Sequence, residues 1–218
     1  MTGWSKVSGP SDHGPSVPWI ARLRRRAWAL GFARGFAVGL AVASCAGSRT
    51  PISDVPATTL LGPGGSLVDS RGILRAAPLT VFLFFAPHCH CLDAHGARIE
   101  ALYGAYHGRG VEFLMIDSEV SGSRERDDAE ARRRGYPFPI LLDRGAKLAD
   151  ALGAEYATYS VVVDAAGRVQ YRGGIDSDKM HLHEDAKPYL RMALDDLLAG
   201  RAVRIPEGKT LGCALERW

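Results

Sequence analysis

Residues 79–86 read Leu-Thr-Val-Phe-Leu-Phe-Phe-Ala, and Pro87 stops them. A short apolar run rich in β-branched and aromatic residues, bounded by a proline, is the pattern of a strand buried on both faces of a sheet. Such a strand needs helices on either side to keep water away, which constrains the chain to an α/β architecture. The residues that follow agree, since Leu92, Ile99, Leu102 and Tyr106 recur at helical spacing over 92–106. Between strand and helix stand His88, Cys89, His90 and Cys91.

The remaining pattern extends this unit. Gly62 to Gly65, then Ser66 to Asp69 and a turn at Ser70 to Gly72, predict an N-terminal hairpin-like element. Strands are expected at 111–117, 139–143, 159–164 and 168–172, with helices at 124–134, 147–152 and 184–198, the last ended by Gly200. The spacing thus predicts one domain over 59–200 and a C-terminal extension over 201–218. The charge run 124–134 alternates sign at i,i+3 and i,i+4 spacing and reads as a solvated helix.

A strand-to-helix junction is where a cysteine becomes reactive, because backbone N–H groups at a helix start stabilise a thiolate. His88, His90 and His95 can add positive charge or accept a proton there. The stretch Phe84-x-Ala86-x-x-Cys89 at such a junction resembles the thioredoxin active site. The downstream order is similar to the redoxin branch that includes alkyl hydroperoxide reductase/thiol-specific antioxidant domains: Gly110-Val111, Gly135 to Asp143, Leu148 to Ala154, Val163-Asp164, Gly167, Tyr171 to Gly173. The run from Gly174-Ile175-Asp176 through Leu198 to Gly212-Cys213-Ala214-Leu215 resembles the C-terminus of a peroxiredoxin-like subgroup.

The resemblance implies a thioredoxin-like fold, a central mixed sheet flanked by helices, and an oxidoreductase that acts on a thiol or disulfide protein or on a peroxide. No cofactor is required for that chemistry. Cys89 is then the attacking thiolate, Cys91 its resolving partner, and His88 or His95 tunes acidity. Three departures stand out. Cys89 and Cys91 are separated by one residue instead of two. Ala86 stands where a peroxiredoxin has Thr or Ser, which weakens the peroxidase reading. Thr158 fills the position of the family's cis-proline, which leaves room and a hydroxyl beside the sulfurs. An alternative follows: Cys89, Cys91 and His95, with His183 of the His181-Leu182-His183 loop brought to the same rim, could ligate copper(I) or zinc. Cys213 stays open between an apolar filler, a resolving thiol and an added ligand.

Residues 1–44 have a separate character. Arg22 to Arg26 precede an apolar stretch, Gly35 to Ala43, of about ten residues, short of the ~20 that span a bilayer. Val42-Ala43-Ser44-Cys45 resembles a bacterial lipobox, which implies a signal peptide over 1–44, a lipid on Cys45, a tether over 45–58 and an outer-membrane anchor facing the periplasm. With the six basic and one acidic residues of 1–44 set aside, the chain carries 21 basic against 23 acidic residues, net −2. That balance offers no clustered basic face for nucleic acid.

Overall fold

The computed structural model describes residues 54–217. The leader 1–44, Cys45 and most of the tether lie outside them. Seven strands form one mixed sheet: β1 Thr59–Leu61, β2 Leu67–Asp69, β3 Leu79–Phe85, β4 Val111–Asp117, β5 Ile140–Leu142, β6 Tyr159–Asp164 and β7 Val169–Gly174, in the order β2-β1-β5-β4-β3-β6-β7. The helices are α1 Ser70–Ile73, α2 His90–Ala94, α3 Gly96–Tyr106, α4 Arg124–Arg134, α5 Lys147–Leu152 and α6 Tyr189–Leu198. None of the described helices is long and apolar enough to cross a membrane.

β3 is buried along its whole length because it lies inside the sheet, parallel to β4 on one side and antiparallel to β6 on the other. The buried side chains of Phe82, Phe84, Phe85, Phe113, Ile99 and Leu194 belong to one continuous core. At roughly 1.5–3 kcal/mol per fully buried large apolar side chain, this core dominates the folding energy. β1 and β2 form the expected hairpin, and β1 joins the sheet through Leu61 opposite Leu142.

Two helix boundaries differ from the sequence expectation. The helix over 92–106 is two helices, α2 and α3, which meet at His95. The closing helix starts at Tyr189, not Glu184, because Pro188 stands before its first turn and residues 178–183 fold into a separate hydrogen-bonded loop. Asp143 fixes the start of α5, its carboxylate accepting the N–H groups of Leu148 and Ala149 and the Ser118 hydroxyl.

After α6 the chain turns back. Asp196 at the end of α6 accepts from the guanidinium groups of Arg201 and Arg204 and from the Arg204 N–H. The Arg204 hydrogen bond, with burial opposing it, holds this carboxyl down at about 2. Residues 201–217, expected as an extension, pack as a strap along β7 and across the C-terminal end of β3. The approach is close enough to exclude side chains. A Cβ on Gly173 would lie 2.3 Å from the Gly208 carbonyl oxygen.

Candidate active site

β3 ends at Phe85, and Ala86-Pro87-His88 carry the chain to Cys89 at the N-cap of α2. The Cys89 sulfur accepts the Leu92 N–H at 3.4 Å, so the thiol serves as the helix cap. Arg134 braces this segment. Its guanidinium donates to the Pro87 carbonyl at 3.0 Å, pairs with Asp93 and lies over the Phe85 ring. Cys89 and Cys91 are both buried, while His88 and His90 face solvent.

The strap supplies a third sulfur. Gly208 N–H donates to Arg172 O and Arg172 N–H to Pro206 O, so residues 206–208 run beside β7. Farther on, Ala157 N–H donates to Cys213 O, Leu215 N–H to Glu155 O, and Val120 N–H to Glu216 O. Glu119, for which the sequence offers no role, accepts the Glu216 N–H and so pins the end of the strap. A Cβ on Gly212 would lie 1.9 Å from the Ala157 carbonyl oxygen, so only glycine lets the strap come this near.

Cys213 is bonded to Cys89 across 124 residues, with Cα atoms 5.6 Å apart. Cys91 is a free, buried thiol whose sulfur lies 3.8 Å from that of Cys213. The pairing therefore differs from the expected Cys89–Cys91 couple. Residues two apart at the start of a helix do not face each other, whereas the strap presents Cys213 to both. Of the alternatives open for Cys213, the structure assigns it a disulfide. All three sulfurs lie within 4.8 Å of one another, a spacing that could hold a metal ion.

His95 and His183 do not join that set. His95 is buried where α2 meets α3, its Nδ1 2.7 Å from the Cys91 carbonyl oxygen and its Nε2 3.1 Å from Asp176 Oδ1. Both ring nitrogens face acceptors, an arrangement that favours the protonated ring. Burial opposes that charge, but the hydrogen bonds to Asp176 and to the Cys91 carbonyl outweigh it and raise the pKa above the ordinary value. Asp176 is shared with Arg98, which also binds Asp178 and the His183 carbonyl. The exposed His183 ring is engaged by Asp178, whose hydrogen bond raises the His183 pKa. His95 and Arg98 tie the loop after β7 to α2 and α3, while the His183 ring bonds within that loop. The expected Cys89-Cys91-His95-His183 ligand set is not assembled.

Thr158 lies beside the end of β3, its N–H donating to the Phe84 carbonyl. Its φ is +79°, and its hydroxyl donates to Leu211 O in the strap, not to a thiolate. No local sequence pattern marks Arg98, Arg134, Asp176 and Asp178 as bracing residues. Arg98 and Asp176 are 78 positions apart, beyond any local pattern.

Comparison with known proteins gives this arrangement its context. Residues 50–186 match the redoxin family. The chain belongs to the redoxin family. It resembles an uncharacterized conserved protein of Geobacillus kaustophilus with a TM-score of 0.69 and 27% identity, over 78% of this chain and 92% of that one. A hypothetical protein of Sinorhizobium meliloti gives a TM-score of 0.69 and 25% identity, over 78% of this chain and 95% of the other. The thiol-disulfide oxidoreductase ResA of Halalkalibacterium halodurans is 29% identical over 93 residues, which is 41% of this chain and 50% of that relative. The chain thus spans about half the length of this curated relative. The redoxin chain has the thioredoxin-like architecture expected of it, with a mixed seven-stranded sheet flanked by helices.

Proposed function

We propose that this redoxin is a thiol-disulfide oxidoreductase in which Cys89 and Cys213 are the exchange couple. The observation that carries the reading is the bond from the helix-capping Cys89 to a sulfur on the strap. Cys89 is 1% exposed, whereas Cys213 is only partly buried. A client thiolate therefore attacks the Cys213 sulfur. The Cys89–Cys213 bond breaks, and its electron pair leaves on Cys89, whose thiolate accepts the Leu92 N–H. The better stabilised thiolate is the better leaving group. The client's second thiolate then attacks its own sulfur in the mixed disulfide and releases Cys213. The client loses two electrons as its disulfide forms, and the protein gains them as two thiols. Run in reverse, Cys213 attacks a client disulfide and Cys89 resolves it. The attacking role expected for Cys89 thus passes to Cys213, and Cys89 takes the resolving role expected for Cys91, because the strap covers Cys89.

The reading is tested by trapping. Reduced protein carrying both Cys89→Ser and Cys91→Ser, offered a model disulfide such as oxidised glutathione, should accumulate a stable adduct on Cys213, since the Cys91 sulfur 3.8 Å away would otherwise resolve it. Faster adduct formation on Cys89 in the Cys213→Ser protein would overturn the assignment.

The cell-envelope setting is part of the same proposal and rests on the sequence of residues 22–45, outside those described. A disulfide suits an oxidising compartment. A lipid on Cys45 would hold the domain at the periplasmic face of the outer membrane, since multiple acyl chains at ~0.8 kcal/mol per methylene make the anchor durable. Cys45→Ala should move the protein to the aqueous phase in detergent partition. Unchanged partition would refute the anchor.

A further inference from the structure

The exchange couple leaves Cys91 without a part, yet Cys91 is as buried as Cys89. It is 1% exposed and sits 3.8 Å from Cys213 Sγ. Two sulfurs that share one ion at a metal–sulfur distance of about 2.3 Å stand about 3.8 Å apart in tetrahedral and about 4.0 Å apart in trigonal geometry. The Cys91 and Cys213 sulfurs already have that spacing, and Cys89 lies within 4.8 Å of both. Once the Cys89–Cys213 bond is reduced, those two sulfurs need to part by only about 1.7 Å, a movement within reach of side-chain rotation alone.

The backbone that carries the sulfurs is fixed from three directions. Cys89 caps α2, Cys91 lies in its first turn, and Cys213 is held by the Ala157 N–H and by the tight seat of Gly212. Arg134, ion-paired with Asp93 and Glu130, donates to the Pro87 carbonyl and braces the turn that leads into Cys89. The partly buried Cys213 leaves a way in.

The donor set then selects the ion. Among the described residues the group is three sulfurs and nothing else, and both ring nitrogens of His95 are already engaged. Three soft thiolates favour copper(I), whereas zinc is almost always four-coordinate in structural sites. We propose that the fully reduced chain binds one copper(I) ion between Cys89, Cys91 and Cys213. Binding releases three thiol protons and moves no electron. The ion and the disulfide exclude each other, because the oxidised chain keeps one free thiol of the three. This site goes beyond the exchange reading and does not depend on it.

The test uses the full-length chain, reduced and metal-free under anaerobic conditions, titrated with copper(I) against bicinchoninate. One equivalent should be retained, with an X-ray absorption spectrum of three sulfur neighbours and no nitrogen. The oxidised chain should retain none. Cys91→Ser should weaken the affinity by at least about a hundredfold, since removing a mere outer partner of a metal ligand already costs about 10- to 100-fold. Formation of the Cys89–Cys213 bond on oxidation shows that this variant is folded. No retained copper, nitrogen in the coordination shell, wild-type affinity in Cys91→Ser, or retention of zinc but not of copper(I) would each overturn the site. Disulfide exchange measured without copper reads the proposed function separately, so a chain that exchanges disulfides but holds no copper loses only this inference.

Discussion

Replacing Cys213 by serine removes the covalent tie of the strap and leaves its backbone hydrogen bonds in place. The Cys89–Cys213 bond closes a loop across 124 residues. Loop-closure entropy of that size is worth about 5 kcal/mol in the denatured state, although disulfides more often deliver about 2–4 kcal/mol. The strap's backbone bonds to Arg172, Ala157 and Glu155 do not involve the sulfur and remain. Cys213→Ser should therefore keep the fold and lose about 2–5 kcal/mol. With a slope of about 2 kcal/mol per molar urea, the midpoint falls by about 1–2.5 M. The assay is urea unfolding of oxidised wild type, reduced wild type and the variant, with reduced wild type and variant expected to coincide. An oxidised wild type no more stable than the variant would refute the reasoning. So would a reduced wild type that matches the oxidised protein while the variant falls, since the cost would then belong to the serine and not to the lost cross-link.

Gly212→Ala places a Cβ 1.9 Å from the Ala157 carbonyl oxygen. It should displace Cys213, slow oxidation of the Cys89–Cys213 pair and cost about 1–3 kcal/mol, read by thiol quenching and urea unfolding. Restoring the family's proline with Thr158→Pro should fail, because φ is +79° there and the N–H is bonded to Phe84 O. A loss on the order of 3 kcal/mol is expected, against a change within about 1 kcal/mol for Thr158→Gly, both from thermal unfolding. Asp127 on α4 is fully buried beside the Asp117 carboxylate, with Arg124 3.7 Å away. Burial first, then the neighbouring Asp117 carboxylate, push its pKa up from 3.8 to about 8. The folded state then holds a proton that the unfolded state releases, so stability falls as pH rises from about 4 to about 8. Asp127→Asn should flatten that slope and stabilise the protein at pH 7 but not at pH 4, measured by urea unfolding at each pH.

The parts of the molecule legible in the sequence are those set by neighbours along the chain. The buried strand β3, its stop at Pro87, the thiols at the start of α2 and the β6–β7 hairpin all follow from local periodicity and turn residues. The disulfide partner of Cys89 was not legible in this way, since it depends on a strap that returns 124 residues later and on a glycine that fits under Ala157 O. His95 read as a tuning group or ligand because its sequence neighbours are cysteines. Its ring instead meets Asp176, 81 positions away, at the residue where α2 and α3 join. Thr158 was legible as a departure from the family, but its left-handed backbone and its bond to Leu211 O depend on the strap.

The central claim, that the strap cysteine is the redox partner of Cys89, is tested most directly by peptide mapping of the oxidised protein, alkylated under acid quench and digested without reduction. The account predicts a cross-link between the Cys89 peptide and the Cys213 peptide, with Cys91 carrying the alkyl group. A bond between Cys89 and Cys91, with Cys213 alkylated, would contradict it.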